Sequence, residues 1–318
     1  MRIAGILTLL VLVLSLPLLA ADGTKFTVDV SGFLLTQVPG TSVPLVSLYA
    51  NAGTGDVFTT GSVALNTWKP GGDLRLGYAW SKLGVEVRGF LLSRWSNATI
   101  YTSNGENLAI ETNPITSYGM GSAGNTLTAT NDGRLKGFEA NLTYDLAPKV
   151  RLYGGFRYLQ LNGTFDLYGY FGESSYENDL WATTNKLLGG QIGARVDILR
   201  PAGEATRGFV LQGHGAFALF SNSAHTGFTT NYSGEAIYDI AADSHKLTPA
   251  VDAGVQAGYR MGRLIELHVG YNLLWMSSVS QAIRQVAGTT SYNETPTIAL
   301  VYKDLVVHGA QAGITVRF

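Results

Sequence analysis

The chain contains no cysteine and little charge. Only 14% of its 318 residues are charged, whereas an average soluble domain has roughly 25%. Without cysteine there is no disulfide scaffold, no cysteine nucleophile, no thiolate metal site and no lipid-modified cysteine. The 22 basic and 23 acidic side chains nearly cancel, which argues against nucleic acid as a partner, because nucleic-acid binding selects a basic patch.

Long apolar runs are also scarce, because only the N-terminus carries one. A single arginine precedes the apolar stretch 3–19, and two alanines follow it. This arrangement predicts a secretory signal peptide over residues 1–21, with an uncleaved membrane anchor as the alternative. No later segment has 18 consecutive apolar residues, so no transmembrane helix is predicted within 22–318.

Apolar and polar residues instead alternate with a period of two along ten segments. In the segment 264–276, for example, Ile265 and Leu267 alternate with Glu266 and His268. Such alternation is typical of membrane β-barrel strands, which present one face to lipid and the other to the lumen. The ten segments are 25–37, 73–81, 84–95, 134–146, 150–165, 186–198, 207–220, 247–260, 264–276 and 304–318.

The connections between these segments alternate between long and short. Long surface loops alternating with short periplasmic turns are typical of outer-membrane barrels, whereas a soluble β-sandwich, the alternative, has no such asymmetry. We therefore predict an all-β fold: a single antiparallel up-and-down transmembrane β-barrel of ten strands over 22–318. Twelve strands are the alternative, if 41–50 and 57–66 form an extra hairpin. The predicted long loops are 38–72, 96–133, 166–185, 221–246 and 277–303.

Within the strand interiors, the charged residues fall on the face opposite the apolar residues. We predict that they line the lumen, either as a network of ion pairs that fills it or as the filter of a narrow channel. No metal or other cofactor is predicted. The predicted lumen charges are Asp29, Arg75, Glu86, Arg88, Glu139, Asp145, Arg151, Arg157, Arg195, Asp197, Asp252, Arg260, Glu266 and Arg317.

The C-terminal segment ends on an aromatic residue, Phe318, with apolar residues at alternate positions before it. This pattern resembles the C-terminal strand recognised by the outer-membrane assembly machinery. We expect this strand to pair with the first one, which closes the barrel and leaves no open edge. The predicted location is the bacterial outer membrane, and the predicted partners are its lipids, the assembly machinery and small solutes.

The sequence resembles a family of β-barrel porins that are abundant in planctomycetes and have no assigned function. The resemblance covers most of 22–318 and implies the barrel fold and its location, without catalytic residues. One departure is Phe220, where the family has glycine after Ala-Leu. The stretches that carry the resemblance are Val43–Val46, Gly72–Tyr78, Tyr153–Asn162, Gly189–Gly193, Pro249–Gln256 and Val269–Trp275.

Three functions are compatible with these patterns. The first is a porin-like passive channel for small solutes, and the second is a closed structural or surface-binding barrel that acts through its extracellular loops. The third is an enzyme at the barrel rim, for which His225, Asp243 and His245 are the candidate residues. No catalytic spacing supports the third function, so we predict that the chain is not an enzyme.

Overall fold

A computed structural model describes residues 24–38, 40, 42, 44–48, 56–104, 108–110, 123–171, 175–201, 207–292 and 295–318. The predicted signal peptide lies outside these residues and stays a prediction. No helix in the described part of the chain is both long and apolar enough to cross a membrane.

Antiparallel strands account for most of the described residues. A four-residue helix, α1 (Ala282–Gln285), and the 3₁₀ turn Val286–Gly288 follow the strand that ends at Ser280. The strands are β1 (Thr24–Gln37), β2 (Pro44–Leu48), β3 (Asp56–Thr59), β4 (Lys69–Trp80), β5 (Leu83–Leu92), β6 (Trp95–Thr102), β7 (Leu108–Ile110), β8 (Thr126–Ala147), β9 (Val150–Tyr170), β10 (Tyr176–Leu199), β11 (Arg207–Tyr232), β12 (Glu235–Met261), β13 (Ile265–Ser280), β14 (Thr289–Tyr292), β15 (Thr295–Ile298) and β16 (Tyr302–Arg317).

The long strands form a closed ring in the order β1–β4–β5–β8–β9–β10–β11–β12–β13–β16, and β16 pairs with β1. The strand β6 continues β5 along the same neighbour, because β5 pairs with the lower part of β8 and β6 with its upper part. The Phe318 N–H donates a hydrogen bond of 2.8 Å to the Phe26 carbonyl at the closing seam. The prediction of a ten-stranded antiparallel barrel is therefore confirmed.

The alternative of twelve wall strands is wrong for the described residues. The strands β2 and β3 do form a hairpin, but they pair with β7 in a separate three-stranded sheet and not with the barrel wall. Parts of the two segments proposed for the extra hairpin lie outside the described residues.

The predicted long loops need correction, because several wall strands extend far into them. The predicted loop 166–185 is mostly strand, with β9 ending at Tyr170 and β10 beginning at Tyr176. The predicted loop 221–246 is a continuous hairpin whose turn is Ser233–Gly234. The predicted loops 38–72, 96–133 and 277–303 also contain strands, in addition to irregular segments.

The outer face of the barrel carries an apolar belt near its short-turn end. Side chains such as Ile192, Phe209 and Leu142 are 71%, 71% and 67% exposed. Exposure of so many large apolar side chains would be unfavourable in water but is favourable against lipid hydrocarbon. The apolar faces therefore do not meet across a packed core, as they would in a soluble sandwich.

The alternation changes sides above this belt, which explains the error in the predicted loops. On β11 the outward residues Phe217 and Leu219 are followed by the outward residues Ser221 and Ser223, while the inward side becomes apolar at Phe220. Because the upper parts of the strands face water on the outside, their apolar residues point inward instead. The bounds of the ten segments were set by the run of apolar residues on one face of each strand. This run ends at the edge of the belt, whereas the strand itself continues beyond it.

Candidate functional site in the barrel interior

A cavity of about 490 Å³ opens at the short-turn end of the barrel, and we call it the vestibule. Ten of the fourteen predicted lumen charges line it, and the other four lie above it. The cations along its wall are Lys25, Arg75, Lys82, Lys149, Arg151, Arg195, Arg200, Arg260 and Arg317. The carboxylates along its wall are Asp29, Glu86, Asp145, Asp197 and Glu266.

Two buried glutamates organise the vestibule wall, each shared by two arginines. Arg195 donates to both oxygens of Glu86 at 2.6 and 2.5 Å, and the Arg75 Nε lies 3.6 Å from the same carboxylate. Glu266 accepts hydrogen bonds from Arg260 at 3.1 Å and Arg317 at 2.8 Å. Bidentate and shared pairs of this kind hold guanidinium groups in fixed orientations.

A second group of charges, the charge layer, lies above the vestibule and is largely buried. It consists of Asp73, Arg88, Glu139, Arg157 and Asp252. Arg157 is 2% exposed and lies 3.3 Å from Glu139 and 2.8 Å from Asp252. Arg88 bonds to Asp73 and to Glu139.

Two polar groups complete the charge layer. Gln191 donates to Glu139 at 3.0 Å, and His214 contacts Asp252 at 3.3 Å. Asp73 was absent from the predicted set, although it shares the phase of Arg75 and begins the segment 73–81. With Gln191 and His214 included, the charge layer joins side chains from the wall strands β4, β5, β8, β9, β10, β11 and β12 into one network.

Above the charge layer the interior becomes apolar. Inward side chains from every wall strand except β4 converge there, and Leu92, Leu159, Leu187 and Phe220 are fully buried. Sequence analysis missed this lower apolar layer, because the apolar phase was assigned to lipid alone. The lower apolar layer consists of Phe33, Leu92, Trp95, Leu135, Leu159, Leu161, Leu187, Ala218, Phe220, Ala250, Met276, Val279, Leu305 and Val307.

A buried polar junction separates the lower apolar layer from a second one. The Asn185 side chain accepts a hydrogen bond of 2.8 Å from the Ser280 N–H and donates one of 2.7 Å to the Ser280 carbonyl. Asn222 donates to the same Asn185 oxygen at 3.1 Å. These bonds fix the point at which the chain leaves β13 and turns into the interior.

The upper apolar layer surrounds a segment of chain that enters the barrel from its long-connection end. This inserted segment, residues 281–288, contributes Ala282, Ile283 and Val286. Trp181 packs against Phe228, with ring centroids 4.7 Å apart and ring planes tilted by 31°, and its Nε1–H donates a hydrogen bond of 2.9 Å to the Thr289 hydroxyl. The wall and loop residues of this layer are Leu45, Val63, Leu127, Ala129, Phe165, Leu167, Trp181 and Phe228.

The candidate rim residues lie on strands and not in a loop. His225 on β11 pairs with Asp243 on β12, with a distance of 2.9 Å between the His225 Nδ1 and the Asp243 Oδ1. Both side chains are exposed on the outer face, above the apolar belt. The described residues bring no group of three or more metal-ligating side chains together.

Glu177 gives the long-connection end a testable pH dependence. It lies on the inner face of β10, where burial and the neighbouring Asp179 raise its pKa from 4.5 to about 7. The folded chain therefore binds this proton more tightly than the unfolded chain, so the free energy of unfolding falls as pH rises from about 4.5 to about 7. We expect Glu177→Gln to remove this fall and to stabilise the barrel by about 1 kcal/mol at pH 8, a value discounted for partial exposure.

Urea unfolding at pH 5 and pH 8 measures this effect. Glu235→Gln, at the exposed start of β12 beside the turn Ser233–Gly234, removes the same charge and is the matched control. An unchanged pH dependence in Glu177→Gln would show that another group is responsible.

Comparison with solved structures supports the fold. The chain is similar to the outer membrane protease OmpT from Escherichia coli, with 12% identity and a TM-score of 0.50 over 94% of this chain and 99% of that chain. The translocator domain of the autotransporter NalP from Neisseria meningitidis is 11% identical, with a TM-score of 0.40 over 99% and 96% of the two chains. A FadL homologue from Pseudomonas aeruginosa is 10% identical, with a TM-score of 0.33 over 93% and 90%. No family model matches the chain, and no curated protein does.

The closed ring, the apolar belt and the similarity in fold define the class of protein. The chain is an outer-membrane β-barrel and is located in the bacterial outer membrane. In barrels of this class the short turns lie at the periplasmic end and the long connections at the extracellular end, and we expect the same orientation here.

The prediction that the chain is not an enzyme was wrong, because it excluded catalysis on grounds that do not exclude it. A barrel of the same fold is a protease, so neither the fold nor the missing catalytic spacing is a ground for excluding catalysis. The similarity extends to the fold alone, since only 12% of the residues are identical.

Proposed function

We propose that this protein is a closed outer-membrane barrel that acts at its ends, presenting its extracellular half as a rigid binding surface. The observation that carries this proposal is the filling of the interior by the two apolar layers. Their side chains come from nearly all wall strands, and the largest, such as Trp95, Trp181 and Phe228, are at most 1% exposed. Solutes and ions crossing such layers would lose their hydration, which is strongly unfavourable.

The extracellular half of the barrel supports a role in binding. On β11 the apolar belt ends at Leu219, while the strand continues to Tyr232. At ~3.4 Å per residue and a tilt of ~40°, this part stands roughly 30 Å above the belt. Its internal core and the inserted segment stiffen it, so that the three-stranded sheet β3–β2–β7 is carried on a rigid support.

A porin-like passive channel for small solutes is the second candidate function. The charged vestibule favours it, because a cavity of about 490 Å³ admits small solutes from the periplasm. A channel would further require the inserted segment and the lower apolar layer to move apart.

Conductance of the purified barrel in planar lipid bilayers separates these functions. We expect no steady single-channel current from the closed barrel, with insertion verified by flotation with lipid vesicles and folding by heat-dependent mobility on gels. A porin of known conductance, inserted by the same procedure, is the positive control. A steady current carried by the folded, inserted protein would overturn the proposal and favour the channel.

A further inference from the structure

The vestibule carries more positive than negative charge, although the whole chain has a formal net charge of −1. Nine lysines and arginines line it against five carboxylates, an excess of four positive charges. This imbalance is confined to one cavity that opens at the periplasmic end. A concave site with an excess of one sign of charge, in apolar surroundings, concentrates ions of the opposite sign.

Four of the five carboxylates in the vestibule are already paired with arginines. Glu86 and Glu266 each have two arginine neighbours. Asp145 and Asp197 each have one, at 2.6 and 3.0 Å respectively. The fifth carboxylate, Asp29, accepts hydrogen bonds from two hydroxyl groups.

Because nine cations share only five carboxylates, some of the cationic hydrogen-bond donors have no acceptor among the described residues. The Arg75 Nε is buried and makes no hydrogen bond within the described residues, although Glu86 lies 3.6 Å away. The Arg260 Nε is likewise buried without a hydrogen bond there. A buried donor without an acceptor is costly. Because these two Nε atoms have almost no accessible surface, a ligand in the vestibule would contact the exposed parts of the arginine side chains, such as those of Arg75 and Arg317, which are 27% and 34% exposed.

The cations occupy two regions of the vestibule, with arginines inside the cavity and lysines at its entrance. Arg75, Arg195 and Arg260 extend from three different wall strands into the cavity. Hydrogen bonds to Glu86 and Glu266 orient Arg195 and Arg260, and Arg75 lies 3.6 Å from Glu86. The exposed Lys82 and Lys149 lie in the short turns at the entrance. Fixed guanidinium groups below flexible ammonium groups suit a ligand with several oxygens and more than one negative charge, because arginine forks match phosphate geometry and lysine adds attraction without fixed direction.

We propose that the vestibule is a binding site for a phosphate group carrying about two negative charges, which enters from the periplasm. The group can belong to a free phosphorylated solute or to the headgroup of a lipid in the inner leaflet, because both present the same oxygens. The site is closed toward the charge layer, whose arginines are engaged with carboxylates. That the ligand does not pass through the barrel rests on the closed interior proposed above. Binding of phosphate in the vestibule does not depend on the presence or absence of a current.

Calorimetric titration of the full-length barrel in an uncharged detergent tests the proposal. The probes are inorganic pyrophosphate for a free solute and short-chain phosphatidic acid, below its micellar concentration, for a lipid headgroup; citrate is the non-phosphate anion. We expect saturable binding of at least one phosphate probe and at least tenfold weaker binding of citrate. Binding of pyrophosphate indicates a free solute, and binding of phosphatidic acid alone indicates a lipid headgroup.

Two substitutions locate the site. Arg75→Gln should weaken phosphate binding at least tenfold while leaving Glu86 paired with Arg195, and Lys82→Gln, in an exposed turn, should weaken it about threefold with little effect on folding. Arg134→Gln removes the same charge from the outer face above the belt and should leave binding unchanged.

Three results would overturn the proposal. They are a failure of both phosphate probes to bind, equal binding of citrate, and an equal effect of the Arg134 and Lys82 substitutions. Because Lys82→Gln lies in an exposed turn, the last comparison holds even if Arg75→Gln fails to fold.

Discussion

Arg157→Met should destabilise the barrel by about 3–5 kcal/mol, because it leaves buried carboxylates without their counter-ion. Arg157 lies between Glu139 and Asp252 in the charge layer, with 2% of its surface exposed. Arg88 continues to neutralise part of the charge on Glu139, whereas among the described residues Asp252 keeps His214 as its one direct contact with a cationic or ionisable group. Urea unfolding of the barrel in lipid vesicles, followed by tryptophan fluorescence, measures the loss.

Arg151→Met provides a matched control on the same strand and the same face. The side chain of Arg151 is 42% exposed, and its ion pair with Asp145 lies in the vestibule, so we expect a loss below about 1 kcal/mol. Replacing Glu139 by Gln and Asp252 by Asn in addition to Arg157→Met should recover much of the stability, because the uncompensated charges are then removed. Equal losses from the two arginine substitutions would mean that the charge layer is as hydrated as the vestibule, which contradicts a sealed interior.

Ile192→Arg should cost about 2–4 kcal/mol in a lipid bilayer, since it places a charge near the middle of the apolar belt. Ile192 points outward from β10 and is 71% exposed, between the belt residues Leu188 and Ile198. In a soluble protein the same change would place an arginine at an exposed position and have little effect. Reversible unfolding in vesicles measures the difference.

Thr184→Arg is the matched control, because Thr184 lies on the same strand and the same face but above the belt. It should change the free energy of unfolding by less than about 1 kcal/mol. The comparison also maps the upper edge of the membrane, since substitutions between these two positions should lose their cost progressively. A similar small effect at both positions would contradict contact between the belt and lipid.

The sequence showed which face of each belt strand is apolar, because contact with lipid sets this property within each strand separately. Each belt strand must present apolar residues to hydrocarbon at every second position. A run such as Ile265, Leu267 and Val269 can therefore be recognised without any knowledge of the neighbouring strands. The same rule places Glu266 and Arg260 on the interior side, where the structure also has them.

The upper half of the barrel did not follow from this rule, because its surroundings differ. Above the belt, water is outside and an apolar core is inside, so residues such as Phe165 and Leu167 occupy the phase that carries charge lower down. A change of phase within one strand looks like the end of a strand when only one environment is assumed. The long predicted loops arose from this assumption.

By itself the sequence determined the apolar belt and the face of each belt strand on which the charges lie, because a period of two is a property of single strands. The structure decided for ten wall strands where the sequence had left twelve as the alternative. Only the tertiary structure decided which charges meet, since Arg195 and Glu86 are 109 positions apart and come together across the barrel. It also decided that the interior is filled, because the apolar layers combine side chains from nearly all wall strands with the inserted segment. Whether such side chains meet depends on the circumference and register of the closed ring, which no single segment specifies.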